Sequence, residues 1–280
     1  MDTKKRTLAK DLDFSGVGVH SGKPVSLRLR PSDSGSLVFR RLDQGGLEIH
    51  SQPMFYAAQN CTFIKKGEAV VQTVEHLLAA LRMCGVDSAA IELDSGEVPI
   101  LDGSAAPFVE AIAGIGTASI PETRKVLKVI KPFRLQEKDI FVAFLPDTCF
   151  RVSYSIDFSH PLIGREELSL ELTPESFAKE IAPARTFGFA KDAEKLRRLG
   201  LALGSSLDNT VVLDDDKVVN PPLRFPDEFV RHKVLDLVGD LSIVGAPIIG
   251  HVQAVKAGHA LHLRAVQSLL QSSAFWTWAD

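Results

Sequence analysis

The stretch RHKVLDLVGD, residues 231–240, sets the reading of the whole chain. Val230, Val234, Leu237, Val238 and Leu241 recur at helical spacing, so residues 227–244 read as an amphipathic helix. Its other face carries His232, Asp236 and Asp240 at i, i+4 and i+8. An imidazole and two carboxylates in line beside an apolar stripe admit two readings. One is a solvated face. The other is half of a metal site, because side chains one helical turn apart can reach a single ion. The remaining donors must then come from elsewhere in the chain.

The 280 residues suit two domains better than one. A hydrophobic content of 45% is ample for a sizeable core. The net charge of −3 gives no basis for a nucleic-acid partner, and none is expected. Cys61, Cys84 and Cys149 form no C-x-x-C pair, and their odd number argues against a disulfide framework and for a reducing compartment. The opening MDTKKRTLAKDLDF has basic residues but no apolar run after them, so it does not read as a secretory signal. No apolar window is long enough for a membrane span. The expectation is a cytoplasmic protein without a membrane span.

Along the chain, the first 55 residues read as strands and turns; Val25, Leu27 and Leu29 alternate with polar residues. Residues 72–87 read as a helix, with Thr73 as its N-cap and Gly85 as its stop. A strand and a short helix follow, with Ser104 as a cap. The small, polar segment 114–125 reads as a domain linker. After it come strands, two helical segments near 174–182 and 191–200, an Asp-rich hairpin at 210–219, the opening helix, a strand at 247–258, and a final helix running on to the end. Each half thus runs strands, helix, strand, helix, which predicts an α+β fold of two layered domains.

His76 is the best candidate for a further donor. It follows Glu75 in the first turn of the 72–87 helix. Adjacent helical residues do not share a face, so one can ligate an ion while the other reaches a reacting water from the side. His76, His232 and Asp236 make three ligands and leave a fourth position open, as catalytic zinc requires; the same two-His, one-carboxylate set also suits Fe(II). His251 and His262 read as structural or surface residues. Peptidase signatures are missing: there is no H-E-x-x-H, and the inverted form fails at Gln72. There is no phosphate-binding G-x-x-x-x-G-K-[ST] loop either.

Six segments then occur in order: SGVGVHSGKPVSL (15–27), TVEHLLAAL (73–81), PILDGSAAPFVEAI (99–112), ARTFGF (184–189), DEFVRHKVLDLVGDL (227–241) and GHALH (258–262). Together they closely resemble the UDP-3-O-acyl-N-acetylglucosamine deacetylases, zinc enzymes of lipid A biosynthesis. The resemblance covers essentially the whole chain. It implies two similar two-layer α/β sandwich domains, here 1–120 and 121–280, with the active site between them. An insert at about 188–216 is then expected to form an apolar passage for the substrate's acyl chain, with Leu196 and Leu203 among its lining residues.

The resemblance also implies roles. His76, His232 and Asp236 match the zinc ligands, and Glu75 the general base. His259 matches the catalytic histidine, Asp240 the carboxylate paired with it, and Thr186 a hydroxyl at the oxyanion. Lys233 matches an active-site lysine. Asp157 and Phe158 match positions at the uracil, Lys256 one near the diphosphate, and Phe187 and His20 positions near the sugar. Cys61 falls near the site as a packing residue. The expected substrate is UDP-3-O-acyl-GlcNAc, turned over by a monomer. Two other readings stay open: a non-catalytic nucleotide-sugar binder on the same scaffold, and a zinc hydrolase of a different N-acyl sugar.

Overall fold

Alternation of burial decides where the strands lie. In PVSLRLRP, strand Pro24–Pro31, Val25, Leu27 and Leu29 point inward while Ser26, Arg28 and Arg30 face out. The computed structural model describes residues 4–50, 55–58 and 60–279. Among them, mixed α and β elements of the α+β kind form several sheets and six α-helices.

One large sheet draws on the first half of the chain, in the order Leu12–Val17, Pro24–Pro31, Ala89–Leu93, Leu37–Arg41, Leu47–His50. The other draws on the second half and is built around Ile248–Val255. That strand pairs antiparallel with Ile140–Leu145 and parallel with both Phe150–Asp157 and Val126–Val129. Smaller sheets join Phe55–Ala58, Cys61–Lys66 and Ala69–Gln72, and pair Phe187–Phe189 with Val211–Leu213.

The helices are α1 (Glu75–Met83), α2 (Ala106–Ile115), α3 (Pro174–Ser176, continued by a π turn, Phe177–Ile181), α4 (Ala190–Arg198), α5 (Glu228–Leu241) and α6 (His259–Leu270). α1 and α5 pack on each other, and nearly every residue of both is buried. A helix buried all round belongs at the centre of a fold rather than on its surface. No helix among the described residues is long and apolar enough to cross a membrane.

Three sequence expectations are corrected. The 114–125 segment is not a linker: Thr117–Thr123 is a strand paired antiparallel with Lys4–Leu8, a partner more than a hundred residues away. This strand also runs through position 120. Thr73 does not cap α1. It sits at φ 56° and its hydroxyl donates to Glu97 (2.9 Å), so the turn before the helix is held from another loop. The last helix ends at Leu270, and Trp276–Ala279 returns as a strand against Val126–Val129. Its aromatic and β-branched residues suit a pleated surface better than a helix.

Candidate metal centre

The start of α5 lies inside the protein, where free backbone N–H groups are costly. Glu166 accepts the Val230 N–H (2.9 Å). Glu228, fully buried, accepts the backbone N–H groups of Arg185 and Arg224 and pairs with the Arg185 guanidinium (2.9 Å). So anchored, α5 buries both its faces. The polar stripe of His232, Asp236 and Asp240 is as enclosed as the apolar one, at 3%, 3% and 0% exposure. A solvated face is therefore excluded.

α1 enters from the other side. Val74 donates its N–H to the Thr62 carbonyl, and Glu75 and His76 form the first buried turn. His76 Nε2 lies 3.6 Å from Asp236 Oδ1, and His232 Nε2 lies 3.3 Å from the same oxygen. One donor atom from each of the three residues falls within 4.8 Å of the others.

The donor set fits a metal ion. His232 Nδ1 lies 3.1 Å from the Ala184 carbonyl, which can only accept, so the proton sits on Nδ1 and the Nε2 lone pair is free. Burial pushes the His232 pKa down to about 4, so the ring stays neutral as a ligand must. Burial alone would raise Asp236, but Lys233 (Nζ–Oδ2 2.6 Å) and the facing imidazoles outweigh it and hold Asp236 ionised.

A second group of buried polar residues adjoins the first. His259, the first residue of α6, and His262 both donate Nδ1–H to Asp240 Oδ2, each at 2.8 Å. The Thr62 hydroxyl donates to Asp240 Oδ1 at 2.5 Å. An imidazolium at a helix N-terminus is disfavoured by the helix dipole, so it needs the carboxylate. Burial works against charge on His259, but Asp240 prevails and raises its pKa to about 9. His259 Nε2 then points towards the first group, 3.9 Å from Asp236 Oδ2. Glu75 is buried beside both groups. Burial raises its pKa to about 7, and its Oε2 accepts the Thr62 N–H (3.1 Å).

The other expected site residues fall into two sets. Thr186 sits between Ala184, whose carbonyl holds His232, and Phe187, whose ring is 6.2 Å from the His232 ring. Phe187 also meets Phe158 (5.7 Å). His20 is buried; its carbonyl accepts the N–H of Leu203 in the insert, and its own N–H donates to the Glu97 carboxylate (2.8 Å). Asp157 and Lys256 pair with each other at 2.7 Å on the surface, outside the metal cluster. Leu196 lies on α4, which buries none of its residues, and Leu203 is 51% exposed. Neither belongs to the core.

Three residues escaped sequence reading. Thr62 joins Glu75, Asp240 and His259, and no spacing marks a lone threonine on a strand. His262, read as structural or surface, is fully buried on Asp240 and is not a surface residue. Its place three residues after His259 on one helix was the available signal. Tyr154 closes the chain, its hydroxyl bridging His262 Nε2 (3.0 Å) and the Ala257 carbonyl (2.7 Å). Cys61 is buried packing, with its thiol pushed up to about 12 by burial.

Two imidazoles and a carboxylate that can share one ion, beside a buried carboxyl with a pKa near neutrality and a carboxylate-held imidazolium, define the class of metal-dependent hydrolases. A profile of the UDP-3-O-acyl N-acetylglycosamine deacetylase family matches residues 5–271. The chain is 44% identical to the UDP-3-O-acyl-N-acetylglucosamine deacetylase of Geotalea uraniireducens, over 98% of this chain and 90% of that protein. It is 45% identical to the protein of that name from Geobacter sp. (strain M21), over 95% and 89%. With the one from Nitratidesulfovibrio vulgaris it shares 45% identity over 96% and 89%. The chain belongs to the UDP-3-O-acyl-N-acetylglucosamine deacetylase family.

Proposed function

We propose that the protein removes the 2-acetyl group of UDP-3-O-acyl-N-acetylglucosamine, releasing acetate and the free amine, in lipid A biosynthesis. The observation that carries this reading is the convergence of His76, His232 and Asp236 with Glu75 and His259 alongside. His76, His232 and Asp236 would hold the ion, and zinc is the metal this donor set best suits. When bound there, it supplies a Lewis acid for the acetamide carbonyl and lowers the pKa of water.

The chain's own groups do the rest. Glu75, with a pKa about 7, is matched to take a proton from the attacking water near neutral pH. His259 stays an imidazolium and offers its Nε2–H to the developing oxyanion, which the Thr186 hydroxyl also serves. Asp240 holds that imidazolium in orientation and charge. The amine leaves once it is protonated, from Glu75 or from His259. Lys233 steadies Asp236.

The substrate's remaining parts are assigned outward from this centre. Phe187 and His20 flank the sugar, and Phe158 and Asp157 take the uracil. Lys256 takes the diphosphate. The leucines of 188–216 outside the core, partly buried Leu196 and half-exposed Leu203 among them, take the acyl chain. Two layered sandwich domains, 1–120 and 121–280, with the site between them, give this arrangement its walls; the two large sheets from separate halves of the chain support that division. Acetate release from 3-O-acylated and non-acylated UDP-GlcNAc by the metal-loaded protein tests the reading. It requires turnover of the acylated substrate and far slower turnover of the other. No acetate from either would reduce the protein to a binder. Equal rates would mean another N-acyl sugar is the substrate.

A further inference from the structure

α1 carries Glu75 and His76 at its start and walls a second cavity at its end, together with Val238 and Leu241 from the apolar stripe of α5. From Glu75 to Arg82 the helix rises about 10 Å, so the cavity stands apart from the reaction centre. Its apolar walls are Met83, Leu172, Val238, Leu241 and Ile248, and no residue assigned to the reaction lines it.

Two cations stand on the same wall, Arg82 and Arg124. Both bond a single oxygen of buried Asp87, Arg82 Nη1 at 3.2 Å and Arg124 Nε at 3.1 Å. The other Asp87 oxygen is taken by the Arg6 backbone N–H. Two guanidiniums thus face one carboxylate, an excess of one positive charge. The Arg82 side chain is nine-tenths buried, and its Nε has no hydrogen-bond acceptor. Two buried or partly buried cations that share a single carboxylate favour a further negative charge beside them, and an anion in the cavity would supply it.

We propose that this cavity binds a small amphiphilic monoanion, a medium-chain alkanoate. Its carboxylate meets Arg82 and Arg124, and its chain lies among the apolar walls. A dry cavity of about 150 Å³ takes benzene, so the volume of about 200 Å³ here admits an alkyl body of roughly eight carbons. One charge is specified, because a dianion would exceed the local excess and pay desolvation for the surplus. The occupant would rest on Met83 of α1 and on Val238 and Leu241 of α5, the two helices that bring the candidate ligands together.

Met83 provides the readout, since the chain has only three methionines and this one lines the cavity. Octanoate is titrated into the full-length, metal-loaded protein while the methionine methyl groups are followed by carbon-13 NMR. A saturable shift of the Met83 methyl is expected, with 1-octanol and acetate each about tenfold weaker or worse. Arg124→Gln, on the partly exposed partner of Asp87, weakens octanoate about tenfold, and Ala246→Phe blocks it from the rim. Using the Met83 signal keeps binding here distinct from an alkanoate at the metal or along the acyl passage. A Met83 methyl that ignores octanoate overturns the proposal. So does octanol binding as tightly as octanoate, or an Arg124→Gln protein that binds like the wild type.

Discussion

Gly239 of α5 and Glu75 of α1 meet backbone to backbone: a Cβ on Gly239 would lie 2.2 Å from the Glu75 carbonyl oxygen. This contact sets how closely the helix carrying His232 and Asp236 approaches the one carrying His76. Glycine inside a helix costs about 1 kcal/mol relative to alanine, so propensity alone favours Gly239→Ala. Forcing atoms into a packed core costs about 1–3 kcal/mol, more where backbone must move, so the steric term wins. Gly239→Ala is expected to lower stability by about 2 kcal/mol in urea unfolding. Its loss of metal affinity should be larger than its loss of stability suggests, since any shift of α5 separates the donors. A variant as stable and active as the wild type would show that the contact does not matter.

Asp240 is held by three donors, and each should show in turnover. Thr62→Val keeps the shape and the Thr62 N–H to Glu75 but removes the hydroxyl from Asp240. A hydrogen bond to a charged group contributes about 1.5–3 kcal/mol, so kcat is expected to fall roughly tenfold or more. Metal content and KM should stay near normal. His262→Phe should behave alike. Loss of metal in either variant, with kcat per bound ion unchanged, would place their effect on the ligands instead of on His259.

The buried pair of His259 and Asp240 gives the metal-free protein a pH signature. His259 titrates near 6.5 when unfolded and near 9 when folded. A folded pKa above the unfolded one means that the stabilisation is complete below about pH 6.5 and is lost as pH rises through 9. Asp240 works the other way: its folded pKa of about 2 contributes stability that is lost only as pH falls through that value. Unfolding free energy of the apo protein should therefore decline between pH 6.5 and 9, and His259→Gln should flatten the decline. A profile unchanged by that substitution would remove the ion pair from the account.

The insert's leucines separate binding from chemistry. Leu203 is half-exposed, so Leu203→Asp costs the fold little. Loss of one buried leucine contact corresponds to about 1.5–3 kcal/mol, which raises KM for the acylated substrate about tenfold or more. kcat should hold. An unchanged KM would take the acyl chain elsewhere.

The sequence made legible what is local or carried by motif. His232, Asp236 and Asp240 announce themselves because one helix repeats them at a fixed spacing, and the Glu75–His76 pair follows from its place in a first turn. Thr62 could not be read this way, since its partners lie on α1, α5 and α6, up to nearly two hundred residues away. The 114–125 segment misled for the same reason. Its small, polar residues look like a linker until the Lys4–Leu8 strand is beside it. Thr73 looks like a cap, but Glu97 from a distant turn claims its hydroxyl. Short-range chemistry is visible in a string of residues, whereas pairing across the fold is not.

The most direct measurement compares wild type and His232→Ala, purified in parallel without added metal, for metal content and for acetate release from 3-O-acylated UDP-GlcNAc. One ion per wild-type chain is expected, with metal and activity lost together in the variant. Full wild-type activity without metal, or a His232→Ala protein that keeps both, would contradict the site at its centre.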